Sequence, residues 1–484
     1  MSLPGLSLPG LSMSAAPPPS AADVLAPSSA PRTQDLAPGT EYRFEVPFNA
    51  TLTVKLLNGT AECFGTELAC NAKEPYLFRA GTKAAIFTWH GCRLQVEGDV
   101  ESEYQAEETP MVEYANVHFA LERLRDAVSM QQQEMGSGGE KPIGPRVLVV
   151  GPENAGKTSL VRLLTAYGVK MGRQPVVVNL DPRQGMLSPP GSLATATMAS
   201  VLDVEEGWGS SPINGPSPVP VKMPLVYHFG LGSPDDNPKM YRGLVTRLAL
   251  AVTSRLGEDD EARKSGCIID TPGVLSVDKK GVYENIQHVV SEFSVNVILV
   301  LGSERLYSDL SRRFSRPGED PVQVVKLDKS GGCVDRDETY MKALRQTQVR
   351  SYFFGHGSTT LSPHTQRLDF NSLHIFRTVD TSATNPASSF LPGGEDDDTE
   401  SSGRLYDRIK PSLMIQNGLL AITHAEPSDS YEHIRDSSVV GYVYIADVDE
   451  AKQNVKLLAP LSGQIPRSAM ILGNWPEDVA GLVG

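Results

Sequence analysis

One stretch of this chain constrains its fold more than any other. The apolar run Val147 to Val150 leads into Gly151-Pro-Glu-Asn154-Ala155-Gly156-Lys157-Thr158-Ser159, and an amphipathic stretch carrying Leu160, Leu163, Leu164 and Tyr167 follows at once. The turn fits Gly-x-x-x-x-Gly-Lys-[Ser/Thr] and stands where that pattern has meaning, between a strand and a helix. Glycines there let backbone N–H groups converge on phosphate oxygens at a helix N-terminus, whose dipole favours anions. Lys157 is placed to reach β- and γ-phosphates and Thr158 to ligate Mg²⁺. The expectation is a nucleotide-binding domain.

The residues around the turn predict an α/β fold with a parallel sheet covered on both faces, running from about residue 146 to 355. Val176 to Leu180 reads as a strand ending in Asp181-Pro-Arg-Gln184, and Cys267 to Ile269 as another ending in Asp270-Thr-Pro-Gly273. Val295 to Leu301 is a further buried strand. Acids at the C-terminal ends of parallel strands face the ligand crevice, so Asp181 and Asp270 can address Mg²⁺, an attacking water or a substrate hydroxyl. Each can equally cap the helix that follows. A guanine pocket needs Asn/Thr-Lys-x-Asp after a late strand, and that position reads Leu301-Gly-Ser-Glu304. Adenine is the expected base.

The other segments differ in texture. Residues 1–38 carry a tandem Ser-Leu-Pro-Gly-Leu and a Pro/Ala/Ser-rich stretch, the composition of a disordered tail. Period-two alternation then runs through 39–108 (Tyr42, Phe44, Val46; Leu52, Val54, Leu56) with the hairpin signal Asn58-Gly59, predicting a small all-β domain. Thr109-Pro110 opens a helix over Met111 to Met135, and 136–145 is a linker. Gly209 to Pro220 is a Pro/Gly/Ser insertion. The region 356–484 ends in alternation (Val440, Tyr442, Tyr444) and is interrupted by an acidic low-complexity stretch at 386–403, predicting a small mixed or mostly β unit.

Charge and cysteine content narrow the function. With 58 acids against 44 bases, a formal charge of −14, the chain cannot bind nucleic acid through its global field. Any RNA must meet a local basic surface, for which Arg305, Arg312, Arg313, Arg316, Lys326 and Lys329, then Arg345 and Arg350 beyond the Gly331-Gly332 hinge, are the candidates. Five scattered cysteines without a C-x-x-C pair predict neither structural zinc nor a disulfide framework. No run approaches the ~18 apolar residues of a membrane helix.

Several motifs together resemble one family: Thr40-Glu41-Tyr-Arg-Phe-Glu-Val46, Phe64-Gly-Thr-Glu-Leu68, Ile86-Phe-Thr-Trp-His-Gly-Cys92, the phosphate loop, Pro224-Leu-Val-Tyr-His-Phe-Gly230, Glu304-Arg-Leu-Tyr307 and Lys329-Ser-Gly-Gly332. This is the polyribonucleotide 5′-hydroxyl kinase family, whose members serve as the ATP-binding subunit of the mRNA cleavage and polyadenylation factor. The resemblance covers about Glu41 to Gly355 with specific motifs. It implies an N-terminal β-sandwich, a central P-loop domain and a small C-terminal mixed α/β domain. It also implies ATP held by Asn154, Ala155, Gly156, Lys157, Thr158 and Ser159 together with Glu41 and Lys83 of the N-terminal domain, and Mg²⁺ on Thr158 and Asp181.

By the same resemblance Asp181 and Gln184 match the Asp-x-x-Gln of active kinases, in which the Asp helps activate an RNA 5′-hydroxyl. Arg345 and Arg350 match the lid arginines. The departure is at Thr271-Pro-Gly-Val274, where active members place a tryptophan that clasps the RNA end. Loss of that platform removes ~1–3 kcal/mol of substrate binding and, with Asn179-Leu-Asp-Pro182, aligns the chain with the fungal branch. The expected role is therefore a nuclear, ATP-holding structural subunit. Its partners would be the scaffold subunit that reads the RNA polymerase II tail and the other cleavage factor subunits. The alternative is an active RNA 5′-hydroxyl kinase using Lys157, Asp181 and Arg345.

Overall fold

The computed structural model describes residues 30–135, 141–205, 224–277, 281–314, 322–356, 359–382 and 405–482. The expected tail through residue 29, the insertion at 209–220 and the acidic stretch at 386–403 lie outside them.

Alternating apolar residues fold the N-terminal region into two facing sheets, one of four strands and one of five. Tyr42, Phe44, Leu52, Val54, Phe78, Ile86, Leu94 and Val96 fill the space between them as a core of its own, with Phe44 and Phe78 edge to face at 4.9 Å. Arg32–Leu36, expected in the tail, is instead a strand paired antiparallel to Cys92–Gly98, with Leu36 opposite Cys92 and Arg32 opposite Val96. Its composition carries no alternation, and its register comes from outside it, through that ladder and the Arg32–Glu103 ion pair at 2.8 Å.

The helix Met111–Met135 leaves this sandwich after Thr109, whose hydroxyl accepts the Met111 N–H at 3.3 Å. Its buried face, including Leu121, joins the core of the central domain.

The central sheet has seven strands in the order Leu225–His228, Ser192–Thr197, Val176–Asn179, Cys267–Asp270, Arg146–Val150, Val297–Leu301 and Gln323–Leu327. The last five are parallel; four of them are the apolar runs read from the sequence, and the largely exposed edge strand Gln323–Leu327 is an addition to them. The first two are antiparallel additions, so the sheet is mixed. The turn after Asn179 contains no helix to carry a parallel crossover, and the chain returns alongside itself. Small residues in Ser192–Thr197 hid that strand from an apolar pattern, although all six are buried.

The C-terminal region forms a second seven-stranded mixed sheet that carries the short α-helix Tyr431–Asp436. One face keeps a separate core around Leu373, Ile422, Val443 and Leu457. The other packs on the central domain through Tyr442, Tyr444 and Ile471. The contact is close: a Cβ on Gly473 would lie 2.3 Å from the Gly230 carbonyl oxygen. No helix among the described residues is long and apolar enough to cross a membrane.

Candidate nucleotide site

The strand Arg146–Val150 is buried from Val147 onward and delivers the phosphate loop to the C-terminal edge of the sheet. Gly156 sits at φ +88°, a left-handed conformation that glycine adopts without strain, and a Cβ there would press on Cys333 Sγ at 2.7 Å. The helix Lys157–Lys170 starts immediately afterwards with no side chain capping its first turn. Its leading N–H groups are therefore free of a side-chain acceptor and suited to an anion.

Lys157 is 7% exposed and folds over its own loop, donating from Nζ to the Gly151 carbonyl at 3.0 Å and the Pro152 carbonyl at 2.7 Å. Burial lowers its pKa, opposed by the charges of Asp270 and Asp181. Thr158 Oγ1 donates to Asp270 Oδ2 at 2.6 Å, and Asp270 Oδ1 accepts the Thr271 N–H at 3.0 Å. Asp181 Oδ1 accepts the Arg183 N–H at 2.9 Å and its Oδ2 accepts Gln184 Nε2 at 3.2 Å. Burial raises both carboxyls, Asp270 to about 6 despite the Thr158 bond and the Lys157 charge, with the nearby Asp181 adding to the rise. Neither acid caps a helix; both face the phosphate loop.

A cavity of about 370 Å³ opens here, with the phosphate loop as its floor. Across from the loop it is walled by the N-terminal domain: Glu41, Arg43, Lys83, Phe87, Tyr104 and, from the connecting helix, Tyr114. Glu41 is held by Arg43 Nε at 2.7 Å and by the Thr109 hydroxyl. Lys83 pairs with Glu45 and stands 4.9 Å from the Tyr340 ring centroid. The site residues expected from sequence, Arg345 apart, thus come together from two domains: Glu41 and Lys83 on one wall, Asn154 to Ser159 and Asp181 on the other.

The oxygen donors fit Mg²⁺, a hard cation that takes a hydroxyl and one or two carboxylates and completes its shell with water and phosphate. Thr158 Oγ1 would be one donor. The carboxylate in contact with it is Asp270, while Asp181 stands further round the crevice in contact with Gln184. Among the described residues no group of three or more His, Cys, Asp or Glu is gathered to hold a metal by itself.

Arg345 departs from expectation. Its side chain is 1% exposed and does not line the cavity; it pairs with Glu338 at 2.5 Å and with Glu477 of the C-terminal domain. Arg350 is on the surface, over Phe354. From this segment the arginine that lines the cavity is Arg336, bonded to Asn154 Oδ1 at 3.0 Å and Gln184 Oε1 at 3.3 Å. The sequence carried a signal for this. Asp337 caps the helix Glu338–Phe354 through the Tyr340 N–H, so Arg336 lies just before the helix at the crevice and Arg345 more than a turn along it. Val274, in the short turn Gly273–Ser276, lines the cavity without an aromatic ring.

Within the upstream basic cluster, Arg312 pairs with Asp309 at 2.5 Å, Lys326 with Glu304 at 2.5 Å, and Arg313 donates to the Val282 carbonyl at 2.6 Å, while Arg305 is exposed and 3.9 Å from Asp309. Arg316 lies outside the described residues.

Three consecutive families match the chain: the N-terminal beta-sandwich domain of polyadenylation factor over residues 35–128, the mRNA cleavage and polyadenylation factor CLP1 P-loop over 151–355, and the pre-mRNA cleavage complex II protein Clp1 over 361–477. The mRNA cleavage and polyadenylation factor CLP1 of Phaeosphaeria nodorum is 58% identical, across 99% of this chain and 100% of that protein. The chain belongs to the CLP1 family. The Botryotinia fuckeliana member is 51% identical over 99% of this chain and 100% of its own length. A solved structure of a wild-type Clp1p–Pcf11p complex superposes with a TM-score of 0.79 at 28% identity, covering 92% of this chain and 98% of that one. A second, which concerns ATP loss in a Gly135Arg point mutant of Clp1p, superposes with a TM-score of 0.78 at 27% identity and the same coverage. Membership of the CLP1 family makes this a protein of mRNA 3′-end processing with an ATP-binding P-loop domain.

Proposed function

We propose that this chain is the ATP-holding structural subunit of a nuclear pre-mRNA cleavage factor, needed for cleavage and polyadenylation and docked on a Pcf11-like scaffold that reads the RNA polymerase II tail. The observation that carries this reading is the shared cavity: residues of the N-terminal sandwich form one wall and the phosphate loop the other. A nucleotide there ties two domains together. ATP supplies a polyphosphate for the loop and Lys157, and Mg²⁺ neutralises it from Thr158 and the strand-end acids. Glu41 and Lys83 attend the base end.

The alternative reading is phosphoryl transfer to an RNA 5′-hydroxyl, with Asp181 as the candidate base. Phosphoryl transfer is mainly positioning, and misplacement by ~1 Å costs on the order of 10²-fold in rate. Val274 gives an RNA end nothing to stack on, and Arg345 is buried against Glu477 and does not line the cavity. We therefore favour retention of ATP over its use.

Thermal melts test the reading. A ligand at about 100 times its Kd adds ~2.7 kcal/mol, so Mg-ATP should raise the Tm of nucleotide-free protein and Lys157→Ala should abolish the rise. An unchanged midpoint in the unmodified chain contradicts bridging by ATP. Single-turnover transfer of labelled phosphate to a 5′-hydroxyl RNA should be undetectable or very weak. Robust transfer, lost in Asp181→Ala, would establish the kinase in its place.

A further inference from the structure

A run of alternating charges joins the nucleotide cavity to the C-terminal domain. It begins at Glu477, whose carboxylate takes Arg345 Nε at 2.9 Å and Nη2 as well. Arg345 Nη2 also donates to Glu338 Oε1 at 2.5 Å. The other Glu338 oxygen accepts Arg183 Nη2 at 3.0 Å, and Arg183 Nη1 donates to Glu153 Oε1 at 3.0 Å. Glu153 is part of the phosphate loop, and Arg183 lies two residues beyond Asp181.

Trp475 underlies the run. Its ring centroid is 4.1 Å from Arg345 Cζ and 5.9 Å from Arg183 Cζ, and its face packs on Gly232, where a Cβ would approach within 3.2 Å. Gln348 pins the same helix to the Asp181 loop, donating to the Gly185 carbonyl at 2.9 Å and accepting the Gly185 N–H at 3.3 Å. Exposed ion pairs such as Arg183–Glu153 are weak alone. Here they are rooted in a guanidinium that is 1% exposed and stacked on an indole. A lysine could supply the charge at this position but neither the planar fork nor the stacking surface.

We propose that Arg345 is a positioning residue for nucleotide retention: it fixes Glu338, which aims Arg183 at Glu153 and so couples the phosphate loop to Trp475 and Glu477. With the run intact the phosphate loop is held in one arrangement; cutting it loosens the grip on bound nucleotide and speeds its loss. The inference rests on the ATP reading above and adds to it what controls release.

The test uses the full chain and an N-methylanthraniloyl derivative of ATP with Mg²⁺, with dissociation followed after a chase of unlabelled ATP. Arg345→Lys and Glu477→Gln should each speed dissociation about tenfold and leave association within about twofold, since such tuning falls on the off-rate. Glu477→Gln combined with Glu153→Gln should release nucleotide no faster than the faster single variant, because both cut one run; independent sites would multiply their effects. Melts of nucleotide-free protein identify any variant that fails to fold, and if Arg345→Lys does, Glu477→Gln carries the test with the shape of the side chain kept. Unchanged release in folded variants, or multiplying effects, overturns the proposal and leaves the ATP reading standing. No binding by the unmodified chain overturns both.

Discussion

Asp270→Asn should make the nucleotide-free protein more stable and the nucleotide-bound protein less so. Asp270 is wholly buried, and burial lifts its carboxyl from 3.8 to about 6. Two units at ~1.4 kcal/mol each is ~3 kcal/mol. The folded-state value lies above the unfolded one, so folding favours the acid form. Stability from this group is complete below about pH 4 and is lost as pH rises through about 6. Asparagine has the same shape, keeps an oxygen for the Thr271 N–H and carries no charge. The ~3 kcal/mol is already net of the attraction to Lys157, but the amide turns a donor toward Thr158 where the acid presents an acceptor, and rearranging that bond returns ~1–2 kcal/mol. A net gain of ~1–2 kcal/mol at pH 8 corresponds to a Tm increase of about 2–8 °C for a domain of this size. The gain should shrink toward pH 4, where the native carboxyl is itself protonated. Mg-ATP should reverse the order, because an amide is a poor Mg²⁺ donor and the variant forfeits most of the ligand's stabilisation. Melts of both proteins at pH 5 and pH 8, with and without Mg-ATP, decide it. A variant that is less stable at pH 8 without nucleotide, or that gains as much from Mg-ATP as the parent, refutes the reasoning.

Two further perturbations address the seam between the central and C-terminal domains. His228 is fully buried, neither ring nitrogen has a partner among the described residues, and burial pulls its pKa down from 6.5 to about 3. The folded chain therefore resists protonation there: stability is full above about pH 6.5 and falls by up to ~1.4 kcal/mol per unit below it. Chemical denaturation across pH 4 to 8 should show a shallower slope in His228→Asn, and an unaltered slope would discount this residue. Gly473→Ala places a methyl 2.3 Å from the Gly230 carbonyl oxygen, an overpacking that costs ~1–3 kcal/mol or more. Limited proteolysis should then cut within the C-terminal domain sooner than in the parent, and a wild-type pattern with a wild-type Tm would show that the seam tolerates the change.

The central domain was legible because its signals are local. Val147 to Val150, the glycine turn and Leu160 to Tyr167 declare strand, loop and helix without help from the rest of the chain, and parallel strands buried on both faces read as apolar runs. Strands Arg32–Leu36 and Ser192–Thr197 escaped because a neighbouring strand supplies their pairing and burial; neither has an apolar pattern of its own.

The phosphate loop is likewise a short-range device. Consecutive residues make it, so sequence alone determined that Gly156, Lys157 and Thr158 would stand at a helix start. Sequence determined as well that Asp181 and Asp270 would end strands beside that loop. Their sharing of duties was decided only in three dimensions, where the Thr158 hydroxyl meets Asp270. Tertiary structure alone also assigned the arginines. Arg336 and Arg345 are alike in chemistry and nine positions apart, but the turn before the Glu338 helix faces the cavity while Arg345 is buried against Trp475 and Glu477. A side chain's charge is written in the sequence; the partner that charge meets is set by packing between segments that lie far apart along the chain.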